Sequence, residues 1–195
     1  FGQWYYGEGR KEAETAIPGL KETLDAIEAP HMHLHQSVIK IKEEHRHADQ
    51  DISTNLAKMS RDHLSWMNTV RKEILVGATE LSIEKDPLKC KLGEYLHSEE
   101  IQQKAKSYPE LARFIQDVQE AHNNLHKSAH EIERLLQAGD QEAAIAYIND
   151  SSDSYSSAVI AKIDELVTTM NKRVEGHNKA NMIYANETKQ HLKEV

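Results

Sequence analysis

The stretch PELARFIQDVQEAHNNLHKSAHEIERLLQAG, residues 109–139, decides the fold. Leu111, Phe114, Ile115, Val118, Ala121, Leu125, Ala129, Ile132 and Leu135 recur at three, four and seven residues, which puts them on one face of an α-helix. Pro109 suits the first turn, where a missing N–H costs nothing, and Gly139 can take the left-handed turn that closes a helix. A helix of about eight turns is predicted, with one face that must be covered by other helices.

Working outward, Leu20, Leu24, Ile27, Leu34, Val38 and Ile41 form a second stripe, with Pro30 expected to bend it. Ile52, Leu56, Met59, His63, Trp66, Met67 and Val70 resume it toward Gly77. Glu43–Ser53 is polar but holds no breaker, so a very long helix is expected to run through it. The main loop lies between Gly77 and Ser98 and carries Pro87, Cys90 and Gly93, and Ser98 with Glu99 and Glu100 starts a new helix. After Gly139, Asp140 caps a helix through Ile145, Ile148, Val159, Ile163, Val167 and Met170; Asn149–Ser157 weakens its middle and Gly176 is its expected break. At the start, Trp4-Tyr5-Tyr6 is expected to pack as a lid over a bundle end, and a short helix through Arg10–Thr15 leads to Pro18.

Composition agrees with an all-α fold whose core is a narrow bundle seam. Only 8 Gly and 4 Pro interrupt the 195 residues, aromatics are 6%, and hydrophobic residues at 38% permit only a narrow core. With 24 Lys and Arg against 32 Asp and Glu, the net charge of -8 argues against a nucleic-acid partner. The apolar runs, Ile74-Leu75-Val76 among them, are far short of the roughly 18 residues of a bilayer span. A single cysteine excludes an internal disulfide framework, and 12 histidines are an unusual excess.

Sliding the chain by 91 residues aligns Phe1–Glu44 with Leu92–Leu135 without a gap. Gly2, Glu8, Pro18, Leu20, His31, Leu34, His35, Ser37 and Ile41 then fall on identical residues. An internal repeat is expected, with His31 and His35 on the positions of His122 and His126.

His122 and His126, four apart on one helix face, can both reach one ion. His63 lies on the stripe of the earlier helix, three residues before Trp66, and Cys90 sits in a loop able to fold back on the helices. Three imidazoles and a thiolate suit tetrahedral Zn²⁺. Any one of these histidines alone would more often be a hydrogen-bonded core residue; the set of four favours a metal. A closed four-ligand site leaves no position for a reactive water, so no catalysis is expected.

HLSWM at 63–67, CKLGEYL at 90–96 and HNNLH at 122–126, in that order, resemble the chemoreceptor zinc-binding domain found in bacterial chemotaxis receptors and some diguanylate cyclases. The resemblance covers about residues 55–170, and residues 1–44 through the repeat; Tyr95 stands where tryptophan is commoner. It implies an elongated antiparallel four-helix bundle with long helices and a 3His/1Cys zinc site, the ligands falling on His63, Cys90, His122 and His126. It also implies three segments: 1–50 as the back half of a first module, 51–175 as a second, zinc-binding module, and 176–195 as a C-terminal helix leading to the rest of a receptor. His31 and His35 would be a partial second site, since the matching cysteine would stand two places before Phe1.

The function implied is that of a sensory, signal-input domain of a methyl-accepting chemotaxis receptor or related signalling protein, relaying ligand or redox state through helix shifts. A homodimer responding to a small molecule or an oxidant is expected. Phe1 opens without a start Met or leader, so a segment of a longer, membrane-anchored protein is expected, periplasmic rather than cytoplasmic. Two other readings stand beside it: a structural dimerisation or spacer bundle, and a four-helix small-molecule sensor in which zinc is only a staple.

Overall fold

The computed structural model describes residues 2–195, and every regular element among them is helical. In chain order these are α1 (Gly2–Tyr5), α2 (Glu8–Ala16), α3 (Leu20–Glu44), α4 (Gln50–Leu75), α5 (Lys91–His97), α6 (Glu99–Ala105), α7 (Pro109–Gln137), α8 (Gln141–Tyr147), α9 (Asp153–Ile183) and α10 (Lys189–Glu194). Two π-helical segments, Ile148–Ser152 and Tyr184–Thr188, join α8 to α9 and α9 to α10 without a break. The protein is an all-α helical bundle. None of the described helices is long and apolar enough to cross a membrane. The chain forms two compact units, Asp49–Lys172, and Phe1–Ala48 with Arg173–Val195.

In the unit Asp49–Lys172, α7 pairs antiparallel with the α8–α9 helix: Ser152 Oγ donates to Ser128 Oγ at 2.9 Å, and Lys162 lies 4.0 Å from Asp117 further along. The short helices α5 and α6 pack against α4 and α7. Leu56, Val70, Leu92, Leu111, Val118, Leu125, Ile132 and Ile163 are wholly enclosed in one apolar core, the stripes of the sequence turned inward. Lys104 pairs with Asp49 at 2.8 Å, and Arg71 pairs with Asp153.

In the other unit, α3 runs antiparallel to the end of α9 and α10. Lys40 reaches Glu187 at 2.8 Å, Lys179 pairs with Glu44, and Thr188 Oγ1 donates to Ser37 Oγ at 2.9 Å. Of the aromatic lid only Tyr5 is buried; its hydroxyl donates to the Leu24 carbonyl at 2.5 Å under the Arg10 guanidinium, while Trp4 and Tyr6 stay exposed.

Several helix boundaries differ from the sequence reading. The polar stretch after Glu43 is not helical throughout: α3 ends at Glu44, His45 is extended, and Asp49 starts α4 by accepting the Asp51 N–H at 3.0 Å on its carboxylate. Gly176 does not break α9, because its role is close packing; a Cβ there would stand 2.7 Å from the Glu44 carbonyl oxygen. Pro30 sits inside α3 without ending it. The loop between Gly77 and Ser98 contains a helix, α5, whose N-cap is Cys90. Within Asn149–Ser157, the polar run expected to weaken its helix, Asn149–Ser152 belong to the first π segment.

Candidate metal centre

Each histidine of the α4 and α7 faces arrives with one ring nitrogen already engaged. His63 Nδ1 donates to the Met59 carbonyl one turn back, at 2.8 Å, and His126 Nδ1 donates to the Glu84 carbonyl at 3.0 Å. Carbonyls can only accept, so in both rings the proton is on Nδ1 and Nε2 carries a lone pair. Both Nε2 atoms are buried with no hydrogen-bond partner. His122 Nε2 lies 3.1 Å from Cys90 Sγ. The three imidazoles cluster with ring centroids 4.7 to 6.0 Å apart. One ligand atom from each of His63, Cys90, His122 and His126 falls within 4.8 Å of the others, close enough to hold an ion.

Cys90 reaches this cluster because residues 76–90 are tied down along their length. Glu133, one of the few buried charges, accepts from the Leu81 N–H at 2.7 Å and from Lys85 at 2.5 Å. Glu73 accepts from the Ser82 N–H at 3.0 Å, and Trp66 Nε1 donates to Glu84 O at 2.9 Å. The sulfur then caps α5, accepting the Gly93 N–H at 3.3 Å. Gly93 is required by contact: a Cβ would stand 1.9 Å from the Pro87 oxygen, so only hydrogen fits where α5 crosses the loop.

Burial governs the electrostatics. It lowers the affinity of all three rings for a proton, taking His122 to about 3 and His126 to about 4, with the neighbouring rings adding to the effect at both. Burial also raises the Cys90 thiol, against the pull of the Gly93 and Leu92 N–H groups. Neutral imidazoles with unused lone pairs beside a thiol are a mixed nitrogen and sulfur donor set, and a soft or borderline cation answers both needs. The two unsatisfied Nε2 atoms are the observation that makes these residues fit zinc; as an apolar packing of side chains they would be costly. A shallow opening lined by Asp62, Trp66, Lys89 and Lys91 leads from solvent to Cys90, His63 and His126.

The remaining histidines lie elsewhere. His31 and His35 face each other on α3 with Nε2 atoms 3.2 Å apart, in the other unit from Cys90. The rings of His33 and His191 lie side by side, as do those of His45 and His177, and His97 Nδ1 donates to the Gly93 carbonyl one turn back at 2.8 Å. Sequence reasoning missed the groups that orient the ligands. Met59 and Glu84 act through backbone carbonyls, which leave no signature in residue type. Glu133 does leave one: it is an acidic residue seven positions after His126, on the helix face that carries the two histidines.

The fold and this cluster define a helical bundle built around a buried three-histidine, one-cysteine group. Residues 63–133 match the family model of the chemoreceptor zinc-binding domain, a span that begins on His63 and ends on Glu133. That family is a zinc-binding one, and the four residues of this chain lie close enough together to hold such an ion. No curated protein and no solved structure matches the chain.

Proposed function

We propose that this chain is a zinc-dependent sensory region of a bacterial chemotaxis receptor or a related signalling protein, with His63, Cys90, His122 and His126 as the metal ligands. The observation that carries it is the pair of orphaned Nε2 atoms, on His63 and His126, beside the Cys90 and His122 contact. When bound, zinc cross-links α4, α7 and the start of α5. Four protein ligands fill a tetrahedral ion, which favours a binding role over a catalytic one.

The relay follows from what adjoins the ligands. Two residues after His126, Ser128 is hydrogen-bonded to Ser152, the last residue of the first π segment. A π segment carries an extra residue within its turn and is a natural place for a helix to change register. Release or oxidation of Cys90 frees α5 and the loop from α7, and the α7 shift passes through Ser128 to the α8–α9 helix. A signal arriving at the opening beside Cys90 thereby becomes a displacement along a long helix, the form of output a membrane-anchored receptor dimer needs.

Elemental analysis of protein purified without chelator, combined with hydrogen exchange, tests this reading. It requires about one zinc per chain at the four-ligand centre and faster exchange in residues 81–97 after chelation or Cys90→Ala. Protein without stoichiometric zinc, exchanging equally with and without chelator, would instead be a spacer bundle.

A further inference from the structure

Along α4, Asn55, Lys58, Met59 and Asp62 follow one another at steps of three and four residues and form one stripe. With Arg61 they line a hollow of about 340 Å³ that is closed on its far side by Lys91, the first residue of α5. Three cations therefore meet one carboxylate, in a chain whose net charge is -8. Asp62 accepts from Lys91 Nζ at 3.0 Å. Among the described residues, no carboxylate pairs with Lys58 or Arg61. The hollow is left with two uncompensated positive charges.

The lining selects the ligand. Met59 is its one apolar side chain, so nothing in it suits a hydrophobic molecule. Arg61 offers a fork of N–H donors of the shape that fits a phosphate, Lys58 and Lys91 bring point charges from α4 and α5, and the Asn55 amide adds a neutral donor. A singly charged ion would leave one cation over, whereas a dianion balances the site. The Lys91 and Asp62 pair does not stand in the way. Its side chains are 74% and 44% exposed, and an ion pair so open to water adds little by itself.

We infer that this hollow binds a phosphate dianion between Lys58 and Arg61 of α4 and Lys91 of α5, and thereby fastens the start of α5 to α4. The place of these residues in the chain gives the binding a consequence. Lys91 follows Cys90, Asp62 precedes His63, and the Met59 carbonyl holds the His63 ring. An anion that touches both helices binds only while α5 is docked on α4. By linkage it favours the docked form, and Cys90 stays with the histidines. The effect on zinc rests on the metal reading above; the binding of phosphate does not.

Calorimetry at constant ionic strength and about pH 8, where phosphate is mostly dianionic, tests the binding on protein as isolated and on chelated protein. Inorganic phosphate and glycerol phosphate are the probes, and the tighter of the two tells a free ion from the end group of an ester. Binding is expected at about 0.1–1 mM, and about tenfold weaker in Lys58→Gln with Arg61→Gln and in Lys91→Gln. Lys72→Gln, at an exposed cation of α4 outside the hollow, leaves it unchanged. All four positions are exposed, so the helical circular dichroism stays that of wild type. In a second arm, zinc release into excess chelator slows about two- to fivefold when phosphate replaces chloride, the modest effect of an exposed ionic tie. The slowing disappears in the Lys58 and Arg61 double variant, which controls for direct contact between phosphate and zinc. Binding of neither probe, or equal binding by the double variant, overturns the inference. Binding with no change in zinc release overturns the fastening of α5. Should the protein hold no zinc, calorimetry on the chelated chain still decides the phosphate site.

Discussion

Trp66 and His126 share one acceptor: the Glu84 carbonyl receives the indole N–H at 2.9 Å and the imidazole Nδ1–H at 3.0 Å. A single backbone oxygen thus fixes the tautomer of a ligand on α7 and ties it to a side chain on α4. Trp66→Phe keeps the ring but removes the tie. Groups that orient a metal-bound histidine affect affinity by about ten- to a hundredfold, so the variant should bind zinc about tenfold more weakly. Competition against a chromophoric chelator measures this, and equal affinity would show that Glu84 is held without the indole.

Gly93→Ala changes no ligand and should still disrupt the centre. Its Cβ would meet the Pro87 oxygen at 1.9 Å, so α5 must move away from the loop, and Cys90 caps α5. The expected result is loss of zinc on gel filtration and a destabilisation above about 2 kcal/mol, the range of a forced backbone clash. Full zinc content with wild-type stability would mean the loop yields at no cost.

Glu133 holds the loop from below, and its charge has a pH signature. Burial raises its proton affinity, but Lys85 and the Leu81 N–H outweigh burial and hold the carboxyl below its ordinary value of 4.5. A depressed folded value means the stabilisation is present above the unfolded value and fades as the pH falls through 4.5 and below. Glu133→Gln should therefore melt lower than wild type at pH 7, with the gap narrowing toward pH 4. Thermal unfolding across that range reads it directly; a constant gap would assign the loss to packing alone.

The histidines produce a dependence in the same direction at higher pH. In metal-free protein, folded His122 and His126 titrate near 3 and 4, far below the ordinary 6.5. Between these values the unfolded chain binds more protons, so stability is intact above about pH 6.5 and falls as the pH drops, by about 1.4 kcal/mol per pH unit for each ring. Chelated protein should lose stability from pH 6.5 toward 4, and His122→Gln with His126→Gln should flatten the curve. An unchanged slope in the double variant would place the acid sensitivity elsewhere.

The long helices were legible because burial demands periodicity: the face from Leu111 to Leu135 reads the same in one dimension as in three. The break at residues 45–49 was not, since it contains neither Gly nor Pro and is made by one carboxylate, Asp49, capping α4. Helix α5 escaped notice because seven residues are too few to show a period, and the glycine that seemed to mark a loop serves the contact with Pro87. Gly176 misled for a like reason, as it spares the Glu44 carbonyl. At the site, residue type and spacing pointed to His63, Cys90, His122 and His126, whereas the oxygens of Met59 and Glu84 that aim two of those rings belong to the backbone and are visible only in the folded chain.

X-ray absorption at the zinc edge of protein isolated without added metal addresses the ligand set itself. Three nitrogen neighbours at about 2.0 Å and one sulfur at about 2.3 Å, with the sulfur lost in Cys90→Ala, is the expected spectrum. A zinc surrounded only by nitrogen and oxygen, unchanged by Cys90→Ala, would mean that Cys90 is no ligand and that α5 is not tied to the histidines of α4 and α7.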